Sequence, residues 1–207
     1  IVGLESSGCS TYEQAENSGI GSNGLTSARH DMLSHYYADT YPESFDSSLP
    51  KNLTYCGPYK LDHALPGSEQ TVGQALLSPT RSYAPVILNL LNLMKSEINA
   101  IVHCSGGAQT KCLRFGQGIH FVKNNLMTVP AVFNAIQTAS GTTMKEMYKV
   151  FNMGHRMELY VPHRRVHEVI DVATAFGINA QQIGHTEAAS ENHLSLVDHL
   201  GKTIHYP

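Results

Sequence analysis

The stretch A-I-V-H-C-S-G-G at Ala100–Gly107 carries the pattern on which the fold prediction rests. Its apolar half is short and uninterrupted, which is typical of a buried strand, and the Ser-Gly-Gly that follows is typical of a sharp bend. We therefore predict a strand at Ile98–Cys104 and a helix or turn at Gln109–Phe115. The chain opens in the same way, because the apolar segment Ile1–Glu5 leads directly into Ser6-Ser7-Gly8.

Helix and strand signals follow one another in mixed order along the rest of the chain. Helices are predicted at Leu25–Tyr36, Ala131–Ala139 and Pro162–Gly177. A further helix should start at Ser78, which suits an N-cap with Pro79 at the first helical position. Another should follow the capping box formed by Thr143 and Glu146. Strands are predicted at Ile119–Lys123, Met157–Val161, Ala180–Ile183, Leu194–Asp198 and Thr203–Tyr206. Residues 41–73, rich in Pro, Gly, Ser and Tyr, are expected to be a loop-rich insertion in one domain spanning residues 1–207. This mixed order predicts an α+β fold in which helices cover a mixed sheet.

Composition limits the class of protein. A chain of 207 residues with 42% apolar and 15% charged residues suits one globular domain with a real core. No apolar run reaches the length of a membrane span, and a formal charge of −3 without a Lys/Arg cluster argues against a nucleic-acid partner. The four cysteines lack C-x-x-C spacing, so we expect reduced thiols in a cytoplasmic protein. Because the chain opens on a strand without Met, we expect a fragment of a longer protein.

The Ser/Gly bends are candidates for an anion site. Glycine lets the backbone approach a ligand closely, and a following helix directs free N–H groups at an anion. Tight turns and helix caps are the alternative explanation, and the presence of two such bends leaves both open. His103, at the end of its strand, is a candidate proton carrier or ligand donor, or else a core histidine. Arg81, expected in the first turn of a helix, opposes the helix dipole and should therefore have a carboxylate or a ligand phosphate as partner.

Other reactive side chains favour simpler interpretations. Cys104 adjoins His103, but adjacent residues of a strand point to opposite faces, which argues against a Cys/His nucleophile. His163 and His167 have a spacing that can bind metal on a helix, but there is no H-E-x-x-H pattern. A solvated helix face is favoured, and no metal site is predicted.

Six motifs occur in the order in which one known family has them. They are S-S-G…S-N-G at Ser6–Gly24, L-L-S-P-T-R-S-Y at Leu76–Tyr83, A-I-V-H-C-S-G-G at Ala100–Gly107, P-A-V-F-N-A-I-Q at Pro130–Gln137, E-M-Y-K-V-F-N-M-G at Glu146–Gly154 and A-Q-Q-I-G at Ala180–Gly184. Through them nearly the whole chain resembles the C-terminal domain of AIR synthase, the phosphoribosylformylglycinamidine cyclo-ligase family. Glycine-rich turns alone are common, so the combined set carries the resemblance.

The resemblance implies a three-layer α/β/α domain of a two-domain, usually homodimeric enzyme of de novo purine biosynthesis. Its N-terminal domain would carry most of the site for ATP and Mg²⁺. The reaction would close formylglycinamidine ribonucleotide to aminoimidazole ribonucleotide at the expense of ATP. The expected partners are therefore a small ribonucleotide, the chain's own N-terminal domain and a second copy, and the fragment alone should be inactive.

Carried over position by position, the resemblance also implies a set of site residues. His103 would handle a proton or a hydrogen bond near the reacting amide. Substrate and phosphate contacts would come from Ser6, Ser7, Gly8, Ser22, Asn23, Gly24, Thr80, Arg81, Ser105, Gly106 and Gly107.

Three positions depart from the family pattern. Gly21 stands where the family usually has His before S-N-G, Ala108 replaces a third Gly, and Arg156 replaces the second Gly of F-N-x-G-x-G. Two alternatives follow from these departures. One is another enzyme of the same superfamily, such as formylglycinamidine synthetase or selenophosphate synthetase, and the other is a non-catalytic metabolite-binding paralogue.

Overall fold

The computed structural model describes residues 1–9, 16–22 and 24–207. These residues form ten β-strands, which are β1 (Val2–Glu5), β2 (Gly8–Cys9), β3 (Glu16–Asn17), β4 (Ala100–His103), β5 (Ile119–Lys123), β6 (His155–Tyr160), β7 (Ala180–Gln182), β8 (Gly184–Ala188), β9 (His193–Val197) and β10 (Thr203–Tyr206). They also form seven α-helices, which are α1 (Leu25–Met32), α2 (Tyr36–Thr40), α3 (Val72–Leu77), α4 (Ala84–Met94), α5 (Ala131–Ser140), α6 (Met144–Val150) and α7 (Val166–Ala175). Short 3₁₀ helices lie at Pro42–Ser44, Lys51–Leu53, Lys95–Glu97, Ala108–Arg114 and His163–Arg165. None of these helices combines the length and the apolar character that crossing a membrane would need.

Two four-stranded sheets organise the fold. The first has the order β4-β6-β1-β7 and is antiparallel throughout. The second has the order β10-β9-β5-β8 and is mixed, because β5 and β9 run parallel. The predicted α+β class is therefore confirmed. The structure differs from the predicted single mixed sheet in having two four-stranded sheets and a separate pair of strands, β2 and β3. The hydrophobic pattern of a strand locates the strand but does not identify its neighbours.

Helices α4 and α7 pack on the first sheet. The buried apolar cluster between them contains Val2, Leu4, Val86, Leu90, Leu159, Val169 and Ala173. Both helices present apolar residues at helical spacing, as their sequences predict, and each fully buried large aliphatic side chain contributes about 1.5–3 kcal/mol. This packing holds the first sheet, and with it the strand ends that carry the candidate site.

A buried ion pair joins the two sheets. Lys123 of β5 and Glu158 of β6 are both fully buried, and the ammonium Nζ lies 2.5 Å from the carboxylate Oε1. The same Nζ donates to the backbone carbonyl of Gln109 at 2.8 Å and to its side-chain oxygen at 3.1 Å. Glu158 also accepts from Tyr160 Oη at 2.7 Å and lies 2.9 Å from Nε2 of His155. All three ammonium N–H groups therefore have an acceptor, as a buried charge requires.

The pair also determines which neighbouring groups carry charge. Burial alone would raise the pKa of Glu158, but the charge of Lys123 and the hydrogen bond from His155 outweigh it and hold the pKa below its usual range. Burial lowers the pKa of His155, and the nearby carboxylate offsets this only in part. At neutral pH the carboxylate is therefore ionised, and the neutral imidazole donates to it from Nε2–H.

Helix α4 begins later than its sequence predicts. The Ser78-Pro79 signal places the N-terminus there, but the segment after it is not helical and α4 starts at Ala84, with Pro85 in its first turn. Ser78 is instead the C-cap residue of α3, and its Oγ donates to the carbonyl of Ala75 at 3.1 Å. Pro85 causes no kink, because first-turn N–H groups have no acceptor within the helix.

The predicted insertion at residues 41–73 contains two of the 3₁₀ helices, and its end forms the start of α3. Thr71 caps α3 through a reciprocal capping box, in which Oγ1 accepts from the N–H of Gln74 at 3.2 Å and Gln74 Oε1 accepts from the N–H of Thr71 at 2.8 Å. The Pro, Gly, Ser and Tyr content of residues 41–73 does not predict this helix, and Gly73 in its first turn is a poor helix former. Glycine is needed at this position, since a Cβ would lie 2.9 Å from the carbonyl oxygen of Leu61.

We predict that Lys123→Met lowers the free energy of unfolding by about 3–5 kcal/mol, because it leaves the carboxylate of Glu158 buried without a counter-charge. The double variant Lys123→Met/Glu158→Leu should recover most of the loss, since it removes the desolvation cost of both charges. Urea denaturation of the parent and both variants measures these values. A single variant as stable as the parent would show that the ion pair does not hold the sheets together.

We also predict that stability falls as the pH drops from about 7.5 to about 5.5. The folded-state pKa of His155 is depressed, so the unfolded chain takes up protons first, at about pH 6.5, and the stabilisation present above that pH is lost below it. His155→Gln should reduce this slope, by at most about 1.4 kcal/mol per pH unit. The exposed His167→Ala serves as the control, and an equal slope in both variants would contradict the assignment to His155.

Candidate functional site

A small pocket lies where the segment before α1, the end of β4 and the start of β6 meet. It is lined by Gly21, Ser22, Thr80, His103, Cys104, Ser105, Val150, Asn152 and Arg156. Its cavity volume is about 40 Å³, which is room for a water molecule or two rather than for a nucleotide. Four of the predicted site residues, Ser22, Thr80, His103 and Ser105, thus come together from three separate parts of the sequence.

Gly19 anchors the first side of the pocket. Its φ of +91° is readily adopted only by glycine, and its N–H donates to Asn17 Oδ1 at 3.1 Å. Its carbonyl oxygen accepts from Asn152 Nδ2 at 2.9 Å and from Arg156 Nη2 at 2.6 Å. The F-N-M-G motif, which contains Asn152, therefore holds the backbone at Gly19 in place.

The second side is the bend after β4. The N–H of Ser105 donates to the carbonyl of His103 at 2.8 Å, which turns the chain at the end of the strand. Gly107 and Ala108 follow with φ values of +90° and +44°. Ala108 stands at the third glycine position of the family pattern and keeps the left-handed conformation, at a cost of about 1–2 kcal/mol for a residue with a Cβ. Lys111 Nζ donates to Ser105 Oγ at 3.0 Å.

Arg156 enters the pocket from an irregularity in β6. Leu4 pairs with Met157 and Glu5 pairs with His155, so Arg156 has no partner on β1. Such an extra residue redirects a side chain out of the regular alternation of a strand. The side chain is buried at 2% exposure, and its Nη1 has no hydrogen-bond partner among the described residues. A residue that lines the pocket thus carries a buried guanidinium N–H without an acceptor.

Two of the departures from the family pattern lie against each other. A Cβ built on Gly21 would lie 3.0 Å from Cζ and from Nη2 of Arg156. Because the guanidinium is buried and bonded, it has little freedom to move aside. Glycine at position 21 therefore provides the space that the arginine at position 156 occupies.

The pocket combines a cation with neutral acid–base groups. Burial lowers the pKa of His103, and the charges of Arg156 and Lys111 lower it further. Burial raises the pKa of Cys104, and the carboxylate of Glu158 adds to the effect. Burial lowers the pKa of Arg156, but a guanidinium starts above about 12 and stays protonated at neutral pH. The site therefore favours an anion or a carbonyl oxygen as ligand.

Arg81 does not line the pocket. Its guanidinium donates from Nη1 to the carbonyl of Ser7 and from Nη2 to the carbonyl of Gly177 at 2.6 Å, and Nη1 lies 3.6 Å from the carboxylate of Glu5. The prediction that it lies in the first turn of a helix is wrong, because α4 starts only at Ala84. Of the two partners expected for it, the carboxylate is the one observed, and the side chain clamps the first bend.

Ser6, Ser7 and Gly8 form that clamped bend and do not line the pocket either. Ser6 is fully buried, and its Oγ lies 2.9 Å from where a Cβ of Gly19 would stand. Ser7 Oγ donates to Glu5 at 3.4 Å. Gly8 has a φ of +93°, and a Cβ there would lie 3.2 Å from Nη1 of Arg81. The first bend thus supports the pocket from outside its lining.

Four more predicted residues remain. Gly24, with a φ of +83°, precedes α1, and a Cβ there would lie 2.7 Å from the ring of Phe151. Gly106 and Gly107 belong to the second bend beside Ser105 without lining the pocket. Asn23 lies outside the described residues. Sequence reasoning did not include Gly21, Asn152 and Arg156 among the site residues, although the departures from the family motifs marked two of these positions.

The described residues offer no set of ligands suited to Mg²⁺ at the pocket. Cys104, His155 and Glu158 bring three ligand atoms within 4.8 Å of one another. However, the ammonium of Lys123 already neutralises this carboxylate at 2.5 Å, and Mg²⁺ prefers six oxygen ligands. His163 and His167 are exposed and lie in different helices, the first in a 3₁₀ helix and the second in α7.

The sequence matches the family model of the AIR synthase related protein, C-terminal domain, over residues 1–197. The chain therefore belongs to this family, and the family membership predicted from its motifs is confirmed.

Relatives named phosphoribosylformylglycinamidine cyclo-ligase show the same similarity. The protein of Methanopyrus kandleri is 31% identical over 187 residues, which cover 90% of this chain and 43% of that protein. The protein of Methanococcus vannielii is 28% identical over 187 residues, with 90% and 44% covered, and that of Trichlorobacter lovleyi is 30% identical over 178 residues, with 84% and 46% covered. The chain thus spans less than half the length of these relatives.

We predict that Gly21→Ala lowers the free energy of unfolding by about 1–3 kcal/mol, because the new methyl group would press on the buried guanidinium of Arg156. In an Arg156→Gly background the same substitution should cost little. A double-mutant cycle measured by chemical denaturation should give a coupling energy above about 0.5 kcal/mol. Additive effects would rule out the contact as the reason for glycine at this position.

Proposed function

We propose that this chain is the substrate-binding half of an ATP-dependent cyclo-ligase that converts formylglycinamidine ribonucleotide to aminoimidazole ribonucleotide. Its family and the names of its relatives support this proposal. The pocket adds an independent chemical reason, since it gathers a buried cation, hydroxyl groups and a neutral imidazole from segments that carry the family motifs.

The single observation that carries the proposal is that Arg156, which lines this pocket, has a buried Nη1 without a hydrogen-bond partner among the described residues. A buried N–H without an acceptor costs about 1–3 kcal/mol, and more when the group is charged. A phosphate or amide oxygen of a ligand would remove this cost, and the hydroxyls of Ser22, Thr80 and Ser105 would add donors. The small volume of the pocket is in keeping with a site that receives one polar group of a larger molecule.

The residues of the chain suit a reaction that depends on positioning and charge stabilisation. ATP, held with Mg²⁺ mainly by another domain, would supply the phosphoryl group that makes the amide oxygen of the substrate a leaving group for attack by an internal amine. Arg156 would stabilise negative charge on the displaced oxygen. His103, neutral at pH 7, would take up the proton that the attacking nitrogen loses, or hydrogen-bond the amide. Backbone N–H groups of Gly106 and Gly107 would contact the ribose phosphate.

The same proposal extends to the assembly and its surroundings. The chain's own N-terminal domain would provide the ATP side, and two copies would form a homodimer. The helices α4 and α7 on one face of the first sheet support a three-layer α/β/α arrangement. The four free cysteines support a cytoplasmic location, where thiols stay reduced.

The decisive experiment is to assay the complete gene product with ATP and formylglycinamidine ribonucleotide. Formation of aminoimidazole ribonucleotide, with ADP and phosphate released in equal amounts, is the expected result, whereas the 207-residue chain alone should show no turnover. Ligand binding without turnover by the complete protein would favour a non-catalytic paralogue. Turnover of a different amide substrate would favour another enzyme of the superfamily.

We predict that Arg156→Met in the complete protein lowers kcat/KM at least about 100-fold, since a charge-assisted hydrogen bond in a buried site contributes about 3 kcal/mol. Arg156→Lys should recover part of this loss, because it restores the charge but not the guanidinium geometry. Arg164→Met, which removes an exposed arginine paired with Glu97, is the matched control. An active Arg156→Met variant with normal thermal stability would exclude Arg156 from the site.

A further inference from the structure

The second sheet carries four histidines on one face. Six polar residues define this histidine face, namely His120, His185, Glu187, His193, Ser195 and His205. His120 on β5 pairs directly with Glu187 on β8 and with His193 on β9, and Ser195 pairs with His205 on β10. Residues that pair directly, and residues two apart on a strand, point to the same side of a sheet, so all six side chains share one face.

The opposite face of the same strands belongs to the core. The alternating residues Phe121, Lys123, Leu194 and Leu196 are buried. By contrast, the side chains of His185 and Glu187 are 47% and 54% exposed, and that of His120 is 22% exposed. The histidine face is therefore not needed to build the core, and its side chains are open to ions from solution.

Glu187 lies between two imidazole rings. Its Oε2 is 3.2 Å from Nδ1 of His120, and its Oε1 is 3.0 Å from Nε2 of His185. The ligand atoms of a tetrahedral Zn²⁺ site, with bonds of about 2.1 Å, stand about 3.4 Å apart. The two rings contact different oxygens of the carboxylate, and the three ligand atoms do not all lie within 4.8 Å of one another, so the rings would have to move together around Glu187 to share an ion. The distance of each ring from the carboxylate is close to the value for such a site.

The ring of His120 is also held from its other side. Its Nε2 lies 2.8 Å from Ser195 Oγ, which in turn lies 3.1 Å from Nδ1 of His205. The ring of His193 stacks on it with 4.1 Å between centroids. Histidines that bind metals commonly use the second ring nitrogen in such a hydrogen bond, which fixes the tautomer and the orientation of the ring. Ser195 therefore leaves Nδ1 of His120 directed towards the carboxylate.

We propose that His120, His185 and Glu187 form a binding site for a divalent transition-metal ion of the Zn²⁺ type. Two imidazoles and one carboxylate are an established ligand set for this ion, with water in the remaining position. Imidazole ligands favour Zn²⁺, Co²⁺ or Ni²⁺ over Mg²⁺, so the ion would be distinct from the Mg²⁺ that accompanies ATP. The site shares no residue with the lining of the pocket and does not depend on the proposed function.

The test is a Zn²⁺ titration of the complete gene product by calorimetry, after chelator treatment and with excess Mg²⁺. The parent should carry Cys9→Ser and Cys56→Ser, because these exposed thiols would compete for the ion. We expect one Zn²⁺ per chain at this site, with affinity reduced at least about ten-fold by His185→Ala, His120→Ala or Glu187→Gln. Co²⁺ in place of Zn²⁺ should give visible absorption bands without a thiolate charge-transfer band.

Matched controls separate the site from other imidazoles. His167→Ala removes an exposed histidine of α7 outside the face and should leave the affinity unchanged. Ser195→Ala should weaken binding about ten-fold while the stoichiometry stays the same, because it removes only the bond that orients His120. No Zn²⁺ binding, or equal binding by the parent and by Glu187→Gln with circular dichroism unchanged, would overturn the proposal. Loss of cyclo-ligase activity is not a readout of this test, so the two proposals fail independently.

Discussion

The burial of two opposite charges, Lys123 and Glu158, is the constraint on which the rest of the structure depends. Neither charge could be buried alone, and the pair is tolerated only because every donor of the ammonium has an acceptor. Gln109 provides two of these acceptors, and its Nε2 donates to the carbonyl of Asn152 at 2.6 Å. One glutamine thus connects the ion pair between the sheets to the F-N-M-G segment at the pocket. The bend after β4 leads into Gln109 and is therefore fixed by the bonds of this residue to the buried core.

The strand β6 connects the buried ion pair to the candidate site. His155 turns into the ion-pair network, and the next residue, Arg156, turns into the pocket, because the pairing with β1 shifts at this point. A regular strand would also point successive residues to opposite sides, but the irregularity lets Arg156 reach the carbonyl of Gly19. The charged side chain of Arg156 can therefore line the pocket while Lys123 and Glu158 both keep their hydrogen-bond partners.

Much of the fold could be predicted from the sequence, and the limits have physical causes. The strands β1, β4 and β5 and the helices α5 to α7 lie where the patterns place them, because burial periodicity is a local property. The start of α4 was misplaced since a Ser-Pro pair suits an extended segment as well as a helix N-terminus. Arg81 was misassigned for the same reason. The histidine face was missed because its residues come from four strands, and only the register of the sheet brings them together.

The candidate site shows how a departure from a family pattern can be informative. Viewed one at a time, glycine at position 21 and arginine at position 156 suggest lost function. In the structure the two positions are coupled, since the absence of a side chain at position 21 leaves room for the guanidinium of Arg156. The family resemblance places an imidazole at position 21, whose charge depends on pH, whereas a guanidinium is charged at any physiological pH. Arginine at position 156 therefore gives the pocket a permanent positive charge, which suits a ligand oxygen that carries or develops negative charge.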